Sequence, residues 1–249
     1  MKLCLAAALL SLLALVGSAS AELAANAGVD HVKWNESGED DGGNIIGAGL
    51  SYTEDGATGR LLAYRGRLIV GGTDYEGLDA IGGMASGTSK NYLLGNEIQM
   101  RSRSAYEKEH VMDVVLGLGW EHWMRKIPGT LEKRTYDTAY FRLGIEFDTE
   151  ARKEGWIGGV GMKYPLISKV KRDLSNQGLG SFTLKPGGDF SAYAQLGYRI
   201  DSAWSVFWYF DTFRYRASDA VDAPNTLNGT LIQEKFNVTF SGIRVQRNF

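Results

Sequence analysis

Charged and amide side chains recur at every second position through much of this chain. Arg65 and Arg67, Glu97, Gln99, Arg101 and Arg103, Asp113, Glu121, Arg142, Glu146, Lys163, Gln195, Arg199 and Asp211 each share a parity within their own segment, and the intervening positions are mostly apolar. Residues two apart on an extended strand point the same way, so these charges belong to one face and the apolar residues to the other. Both signs occur in comparable number. If the charged face is enclosed, arginines and carboxylates have to pair, because an unpaired buried charge is costly. The preferred expectation is a filling of ion pairs that stiffens the fold. The alternative is a selective pore lined by Arg65, Arg101, Arg142, Arg199 and Glu97.

Other chemistry is sparse. Of the three histidines, His31 lies on a weak strand candidate, His110 opens a strand next to a short turn, and His122 sits between Glu121 and Trp123. His122 follows the parity of Leu118 and Trp120, so it belongs to the apolar face. No serine stands beside it, and it reads as an interfacial polar residue rather than as a general base. Glu39-Asp40-Asp41-Gly42-Gly43 lacks the spaced acids of a calcium loop and reads as a solvated acidic turn. Gly158-Gly159-Val160-Gly161 precedes no helix, so its glycines are strand glycines rather than a phosphate cradle. Cys4 is the only cysteine. No catalytic residue, metal site or cofactor is expected. The net charge of −2 is too small for the polybasic footprint of a nucleic-acid binder.

The elements that must position these charges are strands. Residues 1–21 have the layout of a secretory signal, with Lys2, an apolar run from Leu3 to Val16, and an Ala19-Ser20-Ala21 cleavage site. Residues 22–249 then form one unit. Period-two alternation marks ten strand candidates: Val29–Ser37, Asn44–Glu54, Arg60–Gly71, Tyr92–Arg103, Glu109–Met124, Thr135–Asp148, Trp156–Tyr164, Asp189–Ile200, Trp204–Arg216 and Gln233–Phe249. In the last, the apolar parity switches from Phe236, Val238 and Phe240 to Ile243, Val245 and Phe249, which predicts a β-bulge near Ser241-Gly242. Short connections (Asp55–Gly59, Ser104–Lys108, Thr149–Gly155, Asp201–Ala203) alternate with longer ones (Gly72–Asn91, Arg125–Arg134, Pro165–Gly188, Ala217–Ile232). Small residues Gly47, Gly49, Gly117, Gly119, Gly144, Gly159, Gly161 and Gly197 share the charged parity. Aromatic residues Tyr52, Tyr92, Trp120, Trp123, Tyr136, Trp156, Tyr164, Tyr198 and Trp204 cluster near strand ends, as interfacial girdles do.

The export signal, the glycine- and aromatic-rich alternating strands and the C-terminal Phe249 together resemble the small outer-membrane β-barrel proteins of Gram-negative bacteria. The resemblance implies an all-β, antiparallel up-and-down transmembrane barrel of ten strands, with eight as the alternative. It implies location in the outer membrane among lipid and lipopolysaccharide. It also implies insertion by the barrel-assembly machinery, which reads a final strand ending in an aromatic, here Phe249. Arg247 departs from that signal, where an apolar or aromatic residue is usual. A soluble β-sandwich is the competing architecture, with the apolar face as its core. The class does not specify an activity, since it includes adhesins, anchors, pores and hydrolases. The function expected is that of a non-enzymatic surface or envelope protein with a charged, largely plugged lumen and long outer loops. The alternatives are a narrow diffusion channel and a surface hydrolase or acyltransferase acting on lipopolysaccharide.

Overall fold

The computed structural model describes residues 21–55, 60–78, 83–105, 111–128, 132–149, 154–224, 226 and 229–249. Residues 1–20 of the expected signal and His110 lie outside the described residues. Ten strands form the frame: β1 (Ala21–Glu36), β2 (Glu39–Asp55), β3 (Arg60–Leu78), β4 (Met84–Ala105), β5 (Val111–Lys126), β6 (Lys133–Asp148), β7 (Gly155–Asp173), β8 (Ser191–Arg199), β9 (Trp204–Tyr215) and β10 (Phe236–Asn248). Each pairs antiparallel with its sequence neighbours, and β10 pairs with β1 from Ala24↔Asn248 to Glu36↔Phe236. The sheet therefore closes on itself into a ten-stranded barrel. Closure leaves no unpaired edge among these strands, which is the condition for a sheet to cross lipid. Two short strands, Ser181–Leu184 and Gly188–Asp189, attach to β7 and β9. Val221–Asp222 and Thr230–Leu231 form a separate small hairpin.

The apolar parity faces outward. Ile46, Leu50, Leu62, Leu68, Ile98, Leu116, Leu118, Leu143, Ile145, Val160, Leu196 and Ile243 are all exposed, and Leu118 keeps 62 % of its surface. That exposure has no place in water, so this is a band for hydrocarbon. The band occupies about ten residues of each strand, the length a tilted strand needs to span a bilayer. It excludes the sandwich, in which these residues would be core. Trp156 packs edge-on to Tyr198 (5.3 Å) near the rim that carries the chain termini, and Tyr164 packs on Phe190 (5.2 Å) toward the far rim.

Several expected boundaries shift. The first strand begins at Ala21 rather than Val29, and it pairs along its whole length with both β2 and β10. Most of the expected long connection Gly72–Asn91 is paired strand: β3 runs to Leu78, β4 starts at Met84, and β4 alone has 22 residues. Likewise β7 continues to Asp173. The cause is the same in each case. Beyond the hydrocarbon band the outward positions become polar (Asp74, Glu76, Thr88, Lys90, Lys169, Lys171), so the alternation that marks a strand disappears while backbone pairing persists. The bulge expected at Ser241-Gly242 is absent; β10 keeps unbroken register with both neighbours. Its parity switch reflects a change in what the lumen contains. Phe236, Val238 and Phe240 are buried inside, whereas Ile243, Val245 and Phe249 face out. The register irregularity that does occur lies between β6 and β7, where Ala139 opposes Ile167 and Tyr140 opposes Pro165, leaving Leu166 as the extra residue.

Candidate functional site

The enclosed face of the barrel is the candidate site, and it divides into two halves along the barrel axis. The half nearer the termini encloses a cavity of about 330 Å³, bordered by Arg65, Arg101, Arg103, Glu97, Arg199 and Tyr193 among others. Glu146 is its hub. It accepts from Arg101 (2.5 Å), Arg65 (2.9 Å) and Arg142 (3.0 Å). Arg142 also pairs with Glu97 (3.0 Å), which takes further hydrogen bonds from the Tyr140 hydroxyl (2.8 Å) and from Gln99. Arg103 pairs with Asp113 (3.0 Å) at the rim, and Arg199 with Asp148 (2.6 Å). Deeper in, Arg67 bridges Glu121 and Asp211, and Lys163 also pairs with Asp211.

All eleven residues expected to line the lumen, Arg65, Arg67, Glu97, Arg101, Arg103, Glu121, Arg142, Glu146, Lys163, Arg199 and Asp211, thus point inward and each has an ionic partner of opposite sign. Arg67, Glu121, Lys163 and Asp211 form one cluster; Arg65, Glu97, Arg101, Arg142 and Glu146 form another. Arg103 pairs with Asp113, which also faces Arg101 at 3.5 Å. Glycine makes the room. Tyr193 lies under the Arg142 guanidinium (3.7 Å to the ring), and a Cβ on Gly144 or Gly161 would collide with the tyrosine hydroxyl.

The far half is filled differently. Trp34 stacks on Phe236 (4.8 Å, 9° between planes), Phe236 stacks on Tyr215 (4.4 Å), and Trp123 meets Trp34 edge-on (4.9 Å). Val32, Ile45, Ile69, Leu93, Phe213, Val238 and Phe240 complete this core. The gap left among Trp34, Trp123, Tyr136, Phe213 and Tyr215 is about 10 Å³, room for no more than about one water molecule. Trp123 and Tyr136, expected in an outer girdle, are buried here at 6 % and 5 % exposure. Their parity, shared with Glu121 and Thr138, already pointed inward; their aromatic character masked it.

A second polar layer caps these rings. The Arg125 guanidinium lies over Trp34 (4.2 Å) and pairs with Asp41, which also accepts from Ser89 (2.8 Å). Beyond it, Arg134 pairs with Glu39 and with Glu132 (2.8 Å) and reaches Glu36 (3.4 Å), while Arg172 pairs with Glu132 (2.6 Å). Burial alone would raise the Glu132 carboxyl, but Arg134 and Arg172 hold it down at about 2. At Glu36 burial prevails over Arg134 and the nearby Glu39, and the carboxyl is raised. The segment Glu39–Gly43 is therefore not a solvated turn: it lies in β2, with Glu39 and Asp41 turned into the barrel. Asp30, 0 % exposed, pairs with Arg244 (2.6 Å), and this contact was also not visible in the sequence. Among the described residues no group of three or more His, Cys, Asp or Glu is arranged to hold a metal.

Outside the barrel, His122 Nδ1–H donates to Asp137 Oδ1 (2.8 Å) on the neighbouring strand, and the ring stacks on Trp120 (5.8 Å). His31 pairs with Asn44 (3.0 Å) on the outer face. The Phe249 amide donates to the Leu23 carbonyl (2.8 Å), tying the chain end to β1, and Arg247 lies over the rings of Trp204 (5.5 Å) and Phe249 (5.1 Å). The cation that departs from the usual terminal pattern thus rests on aromatic faces at the membrane boundary.

No family model and no curated protein matches this sequence. Solved structures do. The outer-membrane protease OmpT from Escherichia coli is similar over 94 % of this chain and 99 % of its own, with a TM-score of 0.55 at 9 % identity. The translocator domain of the autotransporter NalP from Neisseria meningitidis aligns over 97 % of this chain and 92 % of its own, at TM-score 0.48 and 12 % identity. An outer-membrane channel from Pseudomonas putida F1 aligns over 94 % and 97 %, at TM-score 0.45 and 8 % identity. At these identities the likeness concerns the fold. A closed antiparallel meander of ten strands with an apolar outer band gives this chain the fold of a transmembrane β-barrel, the fold of these outer-membrane proteins.

Proposed function

We propose that the protein is a non-enzymatic, non-conducting anchor in the outer membrane, acting through the strand extensions and hairpins at its outer rim. The observation that carries this reading is the aromatic filling of the far half of the lumen. Trp34, Trp123, Tyr136, Tyr215 and Phe236 occupy the cross-section, and Arg125 and Arg134 cover them with buried ion pairs. In this class the termini are periplasmic, so the 330 Å³ cavity is a vestibule on the periplasmic side and the aromatic layer closes it toward the outside. Insertion by the barrel-assembly machinery through Phe249 belongs to the same reading.

Planar-bilayer recording tests it. The folded protein is expected to give no stable single-channel current, while Trp34→Ala combined with Trp123→Ala opens one. A steady current from the unaltered protein overturns the reading in favour of a narrow diffusion channel.

One observation favours a second reading, a lipopolysaccharide-modifying hydrolase or acyltransferase. The His122–Asp137 pair has the geometry of an oriented base and lies on the lipid-facing surface just beyond Trp120. The described sheet neighbours of His122 are Leu94 and Asp137, neither of them a hydroxyl nucleophile. Lipid A masses unchanged on expression sink this second reading; altered masses that revert in His122→Ala replace the first with it.

A further inference from the structure

The outward face beyond the hydrocarbon band is electrically lopsided. On the ends of β4 to β7 it carries Lys90, Lys126, Lys133, Lys169 and Lys171. Register puts Lys90 opposite Lys126 and Lys126 opposite Lys133, three like charges on adjacent strands. Such a row is unfavourable on its own, since like charges directly across a strand pair repel. The other described charged or titratable groups on or beside this face are Tyr92, His122, Asp137 and Asp173, with Asp74 on adjoining β3 and Lys185 just past the short strand Ser181–Leu184 that pairs with β7. Asp137 is engaged by His122 and lies opposite Lys169; Asp173 lies opposite Lys133 and accepts from Ser175. None of the five lysines has a carboxylate within ion-pair distance among the described residues, whereas the lumen pairs its cations throughout. The positions of β1 to β3, which continue the wall from β4 round to the opposite side, are mixed, with Lys33, Asn35, Asn44, Asp40, Asp74 and Glu76.

Depth is the second observation. The last strongly apolar girdle residue on β5 is Trp120. Going outward, Lys169 is level in register with Asp137 and so with His122, two residues past Trp120; Lys126 and Lys133 are six residues past it. At about 3.3 Å per residue along strands tilted by about 40°, the cations extend from roughly 5 to 15 Å beyond the girdle along the membrane normal. A phospholipid interface is only about 5–8 Å deep on each side. A ligand that neutralises both tiers needs phosphates distributed through a thicker polar layer.

We propose that this lysine face is a binding platform for a phosphorylated glycolipid of the outer leaflet, lipopolysaccharide. Acyl chains lie on the exposed Leu116, Leu118, Phe141 and Leu143, and the phosphates are met by Lys169 and Lys171 nearer the bilayer and by Lys126 and Lys133 farther out. The inference rests on the anchor reading for membrane and orientation and goes beyond it by naming a ligand and its site.

The test uses the full barrel purified in detergent and titrated with phosphorylated lipopolysaccharide, enzymatically dephosphorylated lipopolysaccharide, or phosphatidylglycerol micelles. Phosphorylated lipopolysaccharide is expected to bind best, and Lys126→Gln/Lys133→Gln/Lys169→Gln to weaken it by at least about tenfold. Lys33→Gln, on the far side, is expected to leave it unchanged. A Lys→Arg triple at the same positions is expected to retain binding, which separates charge from folding defects; heat-modifiable migration checks the barrel in each variant. Equal binding by the Gln triple, or equal binding of the dephosphorylated form, overturns the proposal. Phosphatidylglycerol binding as tightly as lipopolysaccharide overturns the assignment to a glycolipid. A barrel that binds lipopolysaccharide yet conducts ions breaks only the anchor reading; a closed barrel indifferent to it breaks only this one.

Discussion

The two halves of the lumen solve the same problem with different chemistry. The half nearer the termini holds charged side chains around a cavity, with Arg65 still 30 % exposed and Arg103 37 % exposed along their side chains. The far half excludes water with stacked rings and then buries Arg125 and Arg134 completely. Ion pairs that keep contact with water are individually weak and replaceable. Fully buried ones depend on every partner, because removing one strands the rest. The far half is the structural lock and the half nearer the termini the compliant region.

Four measurements would break or sharpen that contrast. The largest effect is expected from Arg134→Ala. It leaves Glu36, Glu39 and Glu132 crowded in a dry layer and should cost about 3–5 kcal/mol, read from the temperature at which the folded band is lost on a gel. Trp34→Ala follows at roughly 3–5 kcal/mol from cavity formation, with the appearance of conductance as its distinguishing sign. Third is acid. Glu132 has a folded value of about 2, below its ordinary 4.5, so its stabilisation is complete above pH 4.5 and is lost as the pH falls toward 2. The loss amounts to roughly 3 kcal/mol at most. Glu36, raised by burial, has the opposite sense: its contribution is full at low pH and declines as the pH rises through its raised value. Glu132→Gln should therefore flatten the acid limb of a melting-temperature profile, and Glu36→Gln should not. The smallest effect is expected from Arg65→Ala, within about 1 kcal/mol, since Glu146 keeps Arg101 and Arg142. An Arg65 variant as damaging as the Arg134 variant would erase the distinction between the halves.

Legibility in the sequence followed the same division. The half nearer the termini was readable because opposite faces differ in polarity: Arg142 and Glu146 alternate with Phe141, Leu143, Ile145 and Phe147. The far half was not, because there the code inverts. Inside are Trp34, Trp123, Tyr136, Phe236 and Phe240; outside are Lys33, Lys126, Asp137 and Thr239. Apolar-in and polar-out is the pattern of a water-exposed barrel, and where the two codes meet in β10 the join looks like a bulge. Glu39 and Asp41 likewise resemble solvent-facing turn residues in the sequence, until Arg125 and Arg134 are brought to them from more than 80 positions away.

Local pattern marked ten strand candidates and put the charges on one parity, because a period of two is a property of neighbouring residues; the closed membrane barrel was implied by the resemblance, with eight strands and a soluble sandwich as alternatives. Tertiary structure alone decided which charges pair, where the lumen is open or filled, how far the strands continue past the lipid, and that the lysines of four strands share one face. Each of these depends on closure, which brings β10 to β1 and sets distant side chains across a narrow interior, and no local periodicity encodes that proximity.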